Sequence, residues 1–308
     1  MKRVGLALLV VILLSVPACG ESLTLVLDWF PNIDHLPLYV AQERGFFAEA
    51  GLKVNIVSPS ETADALKLVA AGKSELGISY EPQVLVATSE KVPVTVVGRL
   101  IGHPLSTVLY IKGRGIEKPA DLSGKPMGYT VAGMEDVLAK AFCDLNGIKD
   151  YKLVHLEFAI VPSLISGKVD SVMGGFRNYE VVELELQGYK PGYFALEEHG
   201  FPDYDELVVI ANPQFVKENE KAIVSFRNAL SKAIAEIKKD PQSALTDYFK
   251  AIPESDKKLE RLALEKTLPF YAEDQNLSVD RWKTFADFAL KVGLISRPVE
   301  VEPILWTE

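Results

Sequence analysis

From Leu23 onward, short apolar runs alternate with longer stretches in which apolar positions recur every three to four residues. "LTLVLD", "KVNIVS", "LGISY" and "VPVTVVGRL" read as strands: short apolar or β-branched runs between turn residues suit a pleat buried on both faces. Between them, "HLPLYVAQERGFFAEAGL" reads as one helix ending near Gly51 and "TADALKLVAAG" as a helix ending at Gly72. A further helix begins near Glu81. This alternation predicts a parallel sheet with helices on both faces.

Around "TVLYIKGRGIEKPADLSGKPMGYT" the beat changes to strand, Gly/Pro-rich turn and strand, and a second round starts with "KPMGYT", "MEDVLAKAFCDLNG", "YKLVHLE", "VPSLISGK", "VDSVMGG" and "NYEVVELELQG". A strand "DELVVIANP" follows, and the rest of the chain is mostly helical. The pattern predicts two α/β lobes joined by a two-strand hinge, with a ligand cleft between them. Residues 19–110 and 208–308 form the first, discontinuous lobe and 111–207 the second, with crossovers near Leu109 to Lys112 and Leu207 to Ala211. Ligands of open α/β sheets bind beyond the carboxyl ends of the strands. The cleft is therefore expected along Asp28 to His35, Ser79 to Gln83, Thr130 to Asp136 and Gly174 to Glu180.

The N-terminus modifies this picture. In "MKRVGLALLVVILLSVPACGES", Lys2 and Arg3 precede an apolar run too short to span a bilayer, which reads as a secretion signal over residues 1–18. Ala18 before Cys19 matches a bacterial lipoprotein signal, in which the cysteine carries the lipid anchor, although Pro17 fits it poorly; secretion with simple cleavage is the competing reading. Lipidation leaves Cys143 without a partner, as a buried structural thiol. Among 308 residues 48% are hydrophobic and 24% charged, as in a globular protein with a large core. The net charge of −9 includes no Lys/Arg cluster, which excludes nucleic acid as a natural partner.

Candidate chemistry gathers at the strand ends. Trp29, before a proline-fixed bend, can present an indole face to a flat ligand or plug the space between the lobes. Asn32 and His35 suit a cleft, or a turn and a helix cap. Glu81 and Glu180 each open a helix, where the dipole alone favours a carboxylate, but Asn178, Tyr179 and Glu180 together can accept hydrogen bonds from a ring nitrogen and an exocyclic amine. The loop around Gly133 could offer backbone N–H groups to an anion, yet Glu135 and Asp136 stand there and disfavour a dianion. No phosphate loop with lysine, no metal-spaced His/Cys cluster and no nucleophile with its base occurs, so no catalytic residue, cofactor or metal site is assigned.

"LDWFPNIDHLPLYVAQERGFFAEAGL", "AGKSELGISY", "SGKVDSVMGGFRNYE" and "ANPQFVKENEKAIVSFRNAL" resemble the family of thiamine-pyrimidine periplasmic binding proteins and the related pyrimidine synthases. The resemblance implies a type II periplasmic-binding-protein fold. It also implies a role as the monomeric receptor of an ABC importer, outside the cytoplasmic membrane and lipid-anchored, working with permease and ATPase subunits. It implies an aminopyrimidine ligand from thiamine salvage. Trp29 would stack on the ring, Asn32 and Tyr80 line the pocket, Glu180 pair with the amino edge supported by Asn178, and His35 lie near the cleft. Ile33-Asp34 and Leu36-Pro37 depart from the Thr-Asn and Thr-Gly that often flank this histidine, which opens the identity of the ligand's side group. Riboflavin or an alkanesulfonate- or nitrate-type anion is the alternative ligand. The synthase branch, which consumes pyridoxal phosphate, is disfavoured by Ser79 and Gln83 where its lysine and histidine belong.

Overall fold

The computed structural model describes residues 21–307; the leader, Ala18 and Cys19 lie outside the described residues. The first sheet contains β1 (Glu21–Val26), β2 (Leu52–Val57), β3 (Leu76–Ser79), β4 (Thr95–Ile101) and, from much later in the chain, β10 (Leu207–Ala211). Its order is β2-β1-β3-β10-β4. The second sheet contains β5 (Ser106–Ile111), β6 (Pro126–Tyr129), β7 (Lys152–His155), β8 (Ser171–Phe176) and β9 (Pro191–Ala195), in the order β7-β6-β8-β5-β9. The connecting helices of the first lobe are α1 (Leu36–Glu43), α2 (Phe46–Glu49), α3 (Asp64–Ala70) and α4 (Glu81–Ser89). Those of the second are α5 (Glu135–Leu145), α6 (Ile160–Ser166) and α7 (Glu180–Leu186).

Both sheets are mixed where the chain pattern predicts parallel ones. β10 runs antiparallel to β3 and β4, and β5 antiparallel to β8 and β9. Each is the strand that arrives from the other lobe, so it enters its new sheet from the opposite end and inserts between strands laid down by βαβ units. β5 lies wholly in the second sheet, so the chain changes lobe across residues 102–105 and 200–206, earlier than the expected crossovers. The single helix expected before Gly51 is also divided. Ile33–His35 form a 3-10 turn, and Gly45, with φ 74°, separates α1 from α2 by a left-handed residue.

The closing helices α8 (Pro213–Glu218), α9 (Glu220–Lys239), α10 (Pro241–Ala251), α11 (Lys257–Thr267) and α12 (Val279–Val292) return to the first lobe. There α9 and α10 cover α1, while α12 packs on α4. The starts of α11 and α12 are set by side-chain caps: Asp256 accepts from Lys258 N and Leu259 N, and Ser278 from Arg281 N. Trp282, Phe226 and Phe285 are fully buried in this core, and Phe47 stacks on Phe226 with 5.3 Å between centroids. Cys143 is a free, buried thiol on α5 whose pKa burial, more than neighbouring Asp144, pushes up to about 12. Among the described residues no helix is long and apolar enough to cross a membrane.

Two buried carboxyl groups fix the connections between the lobes. Glu206 accepts hydrogen bonds from Leu105 N at 2.6 Å, Ser106 N at 2.8 Å and Ser106 Oγ at 2.9 Å, which ties one connection to the other. Asp205 accepts from Arg99 Nε, Arg281 Nη1 and Trp282 Nε1 at 2.8 to 2.9 Å, which anchors the returning connection to the first lobe.

Candidate functional site

Between the lobes, at the carboxyl ends of the strands, lies a narrow cavity whose lining surrounds about 400 Å³ of atom-free space, open solvent included. All four expected strand-end segments contribute to its walls or lie directly beneath them. The first lobe supplies Asp28, Trp29, Asn32, Asp34, His35 and Tyr80; the second supplies Thr130, Glu135, Gly174, Tyr179 and Glu180, with Ile160 and Phe176 as apolar walls.

The floor is built around Asp28. His35 Nε2 lies 2.9 Å from Asp28 Oδ1 and Tyr80 Oη donates to Asp28 Oδ2 at 2.7 Å, so both carboxylate oxygens are engaged. Asn32 caps the 3-10 turn, accepting from Asp34 N at 2.8 Å, while its own backbone N–H faces His35 Nδ1 at 3.4 Å. With Nδ1 as acceptor, the ring proton sits on Nε2 and is donated to Asp28. Asn32 and His35 are therefore cap residues and cavity residues at once, because the cap turns both into the cleft.

Trp29 stands at the mouth. Its ring meets Phe158 of the second lobe edge to face, 4.7 Å between centroids, and Phe30 packs on the same Phe158 at 4.6 Å. This aromatic cluster joins the two lobes beside the cavity, and of its three rings Trp29 lines the cavity itself.

The remaining walls are acidic. Asp34 is 1% exposed; Asn178 Nδ2 donates to its Oδ1 at 2.6 Å, and its Oδ2 has no partner. Burial raises the Asp34 carboxyl well above its ordinary value against the opposing pull of Asn178. Glu135 accepts from Thr130 N at 2.6 Å, Thr130 Oγ1 at 2.9 Å and Val131 N at 3.0 Å, all on Oε2. Burial pushes it up to about 7, with those donors holding it from going higher. Glu180 accepts from Phe176 N at 2.8 Å, and burial raises it to about 8. No lysine or arginine lines the cavity, and among the described residues no group of acidic, histidine or cysteine side chains is arranged to hold a metal ion.

The expected residues Trp29, Asn32, His35, Tyr80, Tyr179 and Glu180 come together in this cavity. Three others do not line it. Glu81, beside Tyr80, opens α4 with its side chain turned into the first lobe, where Asp205 N donates to Oε2 at 2.7 Å. Gly133 is exposed, takes φ 84° and donates its N–H to Asp136. Asn178 is fully buried behind the wall, where Nδ2 bridges Asp34 and Thr267 Oγ1. The pattern did not single out Asp28 and Asp34, although both lie in the quoted stretch, and it read Glu135 as a helix-start carboxylate that disfavours a dianion, without placing it in the cavity wall. A carboxylate immediately after a buried strand was the available signal for Asp28.

Two α/β lobes that close on a cavity at their strand ends, joined by two fixed connections, make a fold of the periplasmic-binding-protein type. The solved alkanesulfonate-binding protein SsuA from Xanthomonas axonopodis pv. citri, bound to MOPS, superimposes with a TM-score of 0.74 over 93% of this chain and 98% of that one, at 16% identity. At that identity the likeness concerns the fold. The chain belongs to the NMT1/THI5-like family, which matches residues 32–244. It is 36% identical to a Haemophilus influenzae protein named for thiamine biosynthesis, over 94% of each chain. It is also 36% identical to the formylaminopyrimidine-binding protein of Halalkalibacterium halodurans, over 73% of this chain and 69% of that one. A fungal relative, the 4-amino-5-hydroxymethyl-2-methylpyrimidine phosphate synthase of Schizosaccharomyces pombe, is 26% identical over 92% of this chain and 84% of its own.

Proposed function

We propose that the protein is the extracytoplasmic solute-binding component of an ABC importer and captures a thiamine-precursor aminopyrimidine. The observation that carries this reading is the composition of the cavity: an indole wall, four carboxyl groups and no lysine or arginine. A flat ring rich in N–H donors, or one that accepts a proton, satisfies such walls; an anion does not. In this reading Trp29 stacks on the ring, Glu180 reads the edge formed by a ring nitrogen and its neighbouring amine, Tyr80, Asn32 and His35 shape the floor, and Asn178 holds Asp34 in place. The name of the Halalkalibacterium relative supports the ligand class.

The protein acts by binding and not by catalysis. Ser79 Oγ donates to Gln83 Oε1 at 2.6 Å, so these two side chains satisfy one another, and the absence of a lysine among the cavity residues leaves no amine to form an imine with an aldehyde cofactor. Anchoring through Cys19 and a monomeric state complete the proposal; release of the protein from membranes by Cys19→Ser checks the anchor. The direct test of function is calorimetric titration of the mature protein with 4-amino-5-hydroxymethyl-2-methylpyrimidine and its formylaminomethyl analogue. Saturable binding with aminopyrimidines alone supports the reading; binding of riboflavin, with neither pyrimidine bound, refutes it.

A further inference from the structure

We propose that Glu135 is the specificity-determining residue of the cleft, a built-in carboxylate that occupies the anion cradle at the head of α5 and so closes the site to anionic ligands. The cradle is complete: Thr130 N, Val131 N and Thr130 Oγ1 converge within 3.0 Å on one oxygen of Glu135. Glu135 and both residues that hold it are nearly or fully buried. In an unoccupied cleft, three inward donors of this kind at the start of an 11-residue helix would attract sulfonate, sulfate or phosphate. Here the chain supplies its own acceptor, and those donors are spent.

Gly174, on the strand β8 that packs against α5, fits the same arrangement. It has φ 89°, and a Cβ on it would lie 2.1 Å from Glu135 Oε1, so only a residue without a side chain leaves room for the carboxylate. Oε1 accepts no hydrogen bond from any described residue, and Asp34 in the same cavity has an oxygen without a partner. Polar atoms of the ligand are therefore still awaited at the acidic side of the cavity, while the donor side is already satisfied. This inference takes the cavity to be the ligand site, as proposed above, but does not depend on which neutral or cationic ring fills it.

The test uses ethanesulfonate as the anion probe and 4-amino-5-hydroxymethyl-2-methylpyrimidine as the ring probe, titrated calorimetrically into the mature protein above the Glu135 value of about 7. Wild type binds no ethanesulfonate. Glu135→Ala, and Glu135→Ser as a second variant that can hydrogen-bond within the emptied space, each bind ethanesulfonate at least tenfold more tightly than the detection limit set by wild type, about 1.4 kcal/mol. Glu135→Gln keeps an acceptor on the three donors and gains none. Ethanesulfonate binding by wild type overturns the proposal, as does a Glu135→Ala or Glu135→Ser protein that melts cooperatively yet gains no sulfonate affinity. Failure of the ring probe in wild type, with the sulfonate gain present in the variants, counts against the aminopyrimidine ligand and leaves the role of Glu135 standing.

Discussion

Glu180→Gln tests the reading of the ring edge while leaving the shape of the cavity unchanged. Gln keeps an oxygen for Phe176 N, now 2.8 Å from Glu180 Oε2, so the local turn survives. What is lost is a proton that can be shared. Held neutral up to about 8 by burial, Glu180 can donate that proton to a ring nitrogen and accept from the adjacent amine, or surrender it and face a cationic ring. Hydrogen bonds to charged groups contribute roughly 1.5 to 3 kcal/mol and neutral ones roughly 0.5 to 1.5, so the substitution costs about 1.4 kcal/mol, a tenfold loss of affinity. The pH dependence is more discriminating. The complex contains one proton between ring and carboxyl; below about 8 free Glu180 already carries it, and above that pH it must be drawn from solvent. Wild-type affinity for 4-amino-5-hydroxymethyl-2-methylpyrimidine should therefore fall about tenfold per pH unit above that value, equivalent to 1.36 kcal/mol, whereas the Gln variant stays flat. Calorimetry across a pH series, in buffers of different ionisation enthalpy, measures both affinity and proton uptake. An unchanged affinity in the variant, or parallel pH profiles in the two proteins, refutes the reasoning.

Three further outcomes follow from the same geometry. Trp29→Ala removes the stacking wall and the Phe158 contact, and should weaken every flat ligand by roughly 1 kcal/mol or more in the same titrations, irrespective of its polar edge. The folded-state values of Glu135 and Glu180 are raised from 4.5 to about 7 and about 8, so the native protein retains protons that the unfolded chain releases. Their stabilising contribution is complete below 4.5 and is lost as pH rises through the folded values; the melting temperature of the ligand-free protein should fall over that window and fall less in a Glu135→Gln/Glu180→Gln double variant. Glu206→Ala strips the acceptor from Leu105 N, Ser106 N and Ser106 Oγ and should destabilise the protein by roughly 3 kcal/mol in urea melts, because buried donors are left without partners.

The segments of the cleft were legible in the sequence, but the inward-facing residues within them were less so. The rule that ligands bind past strand ends depends only on the order of strands and helices, and it placed four segments at the cavity. Which neighbour turns inward depends on the backbone at the strand-to-helix junction. Tyr80 is extended, with φ −110° and ψ 143°, and reaches Asp28 through the cavity, while the next residue, Glu81, begins α4 and turns beneath Asp205. Asp34 was hidden for another reason: the amide that orients it, Asn178, is 144 positions away, so neither local pattern nor propensity contains the contact. Strand direction was obscured similarly. The apolar run of β10 looks the same whether it continues a βαβ unit or returns from another lobe, and only the path of the chain makes it antiparallel.

The contacts that hold the lobes together are made by residues of the cavity or their immediate neighbours. Asn178 of the second lobe reaches Asp34 and Thr267 of the first, Tyr179 Oη donates to Glu260 at 3.1 Å, and Thr62 Oγ1 donates to the Thr130 carbonyl at 3.0 Å. None of these can form when the lobes part, and each is flanked by groups a ligand would touch: Asp34 beside Asn178, Glu180 beside Tyr179, Glu135 bound to Thr130. A ligand held as proposed would add its contacts to this inter-lobe set and would favour the arrangement that contains it by the difference between its affinities for that arrangement and for one with the lobes parted. The Glu206 and Asp205 anchors tie the two connections at 102–105 and 200–206 to one another and to the first lobe. In the proposed function, recognition and closure are consequently one equilibrium. Trp29→Ala removes both the proposed stacking surface and the contact with Phe158 between the lobes, so it should alter ligand affinity and lobe closure together.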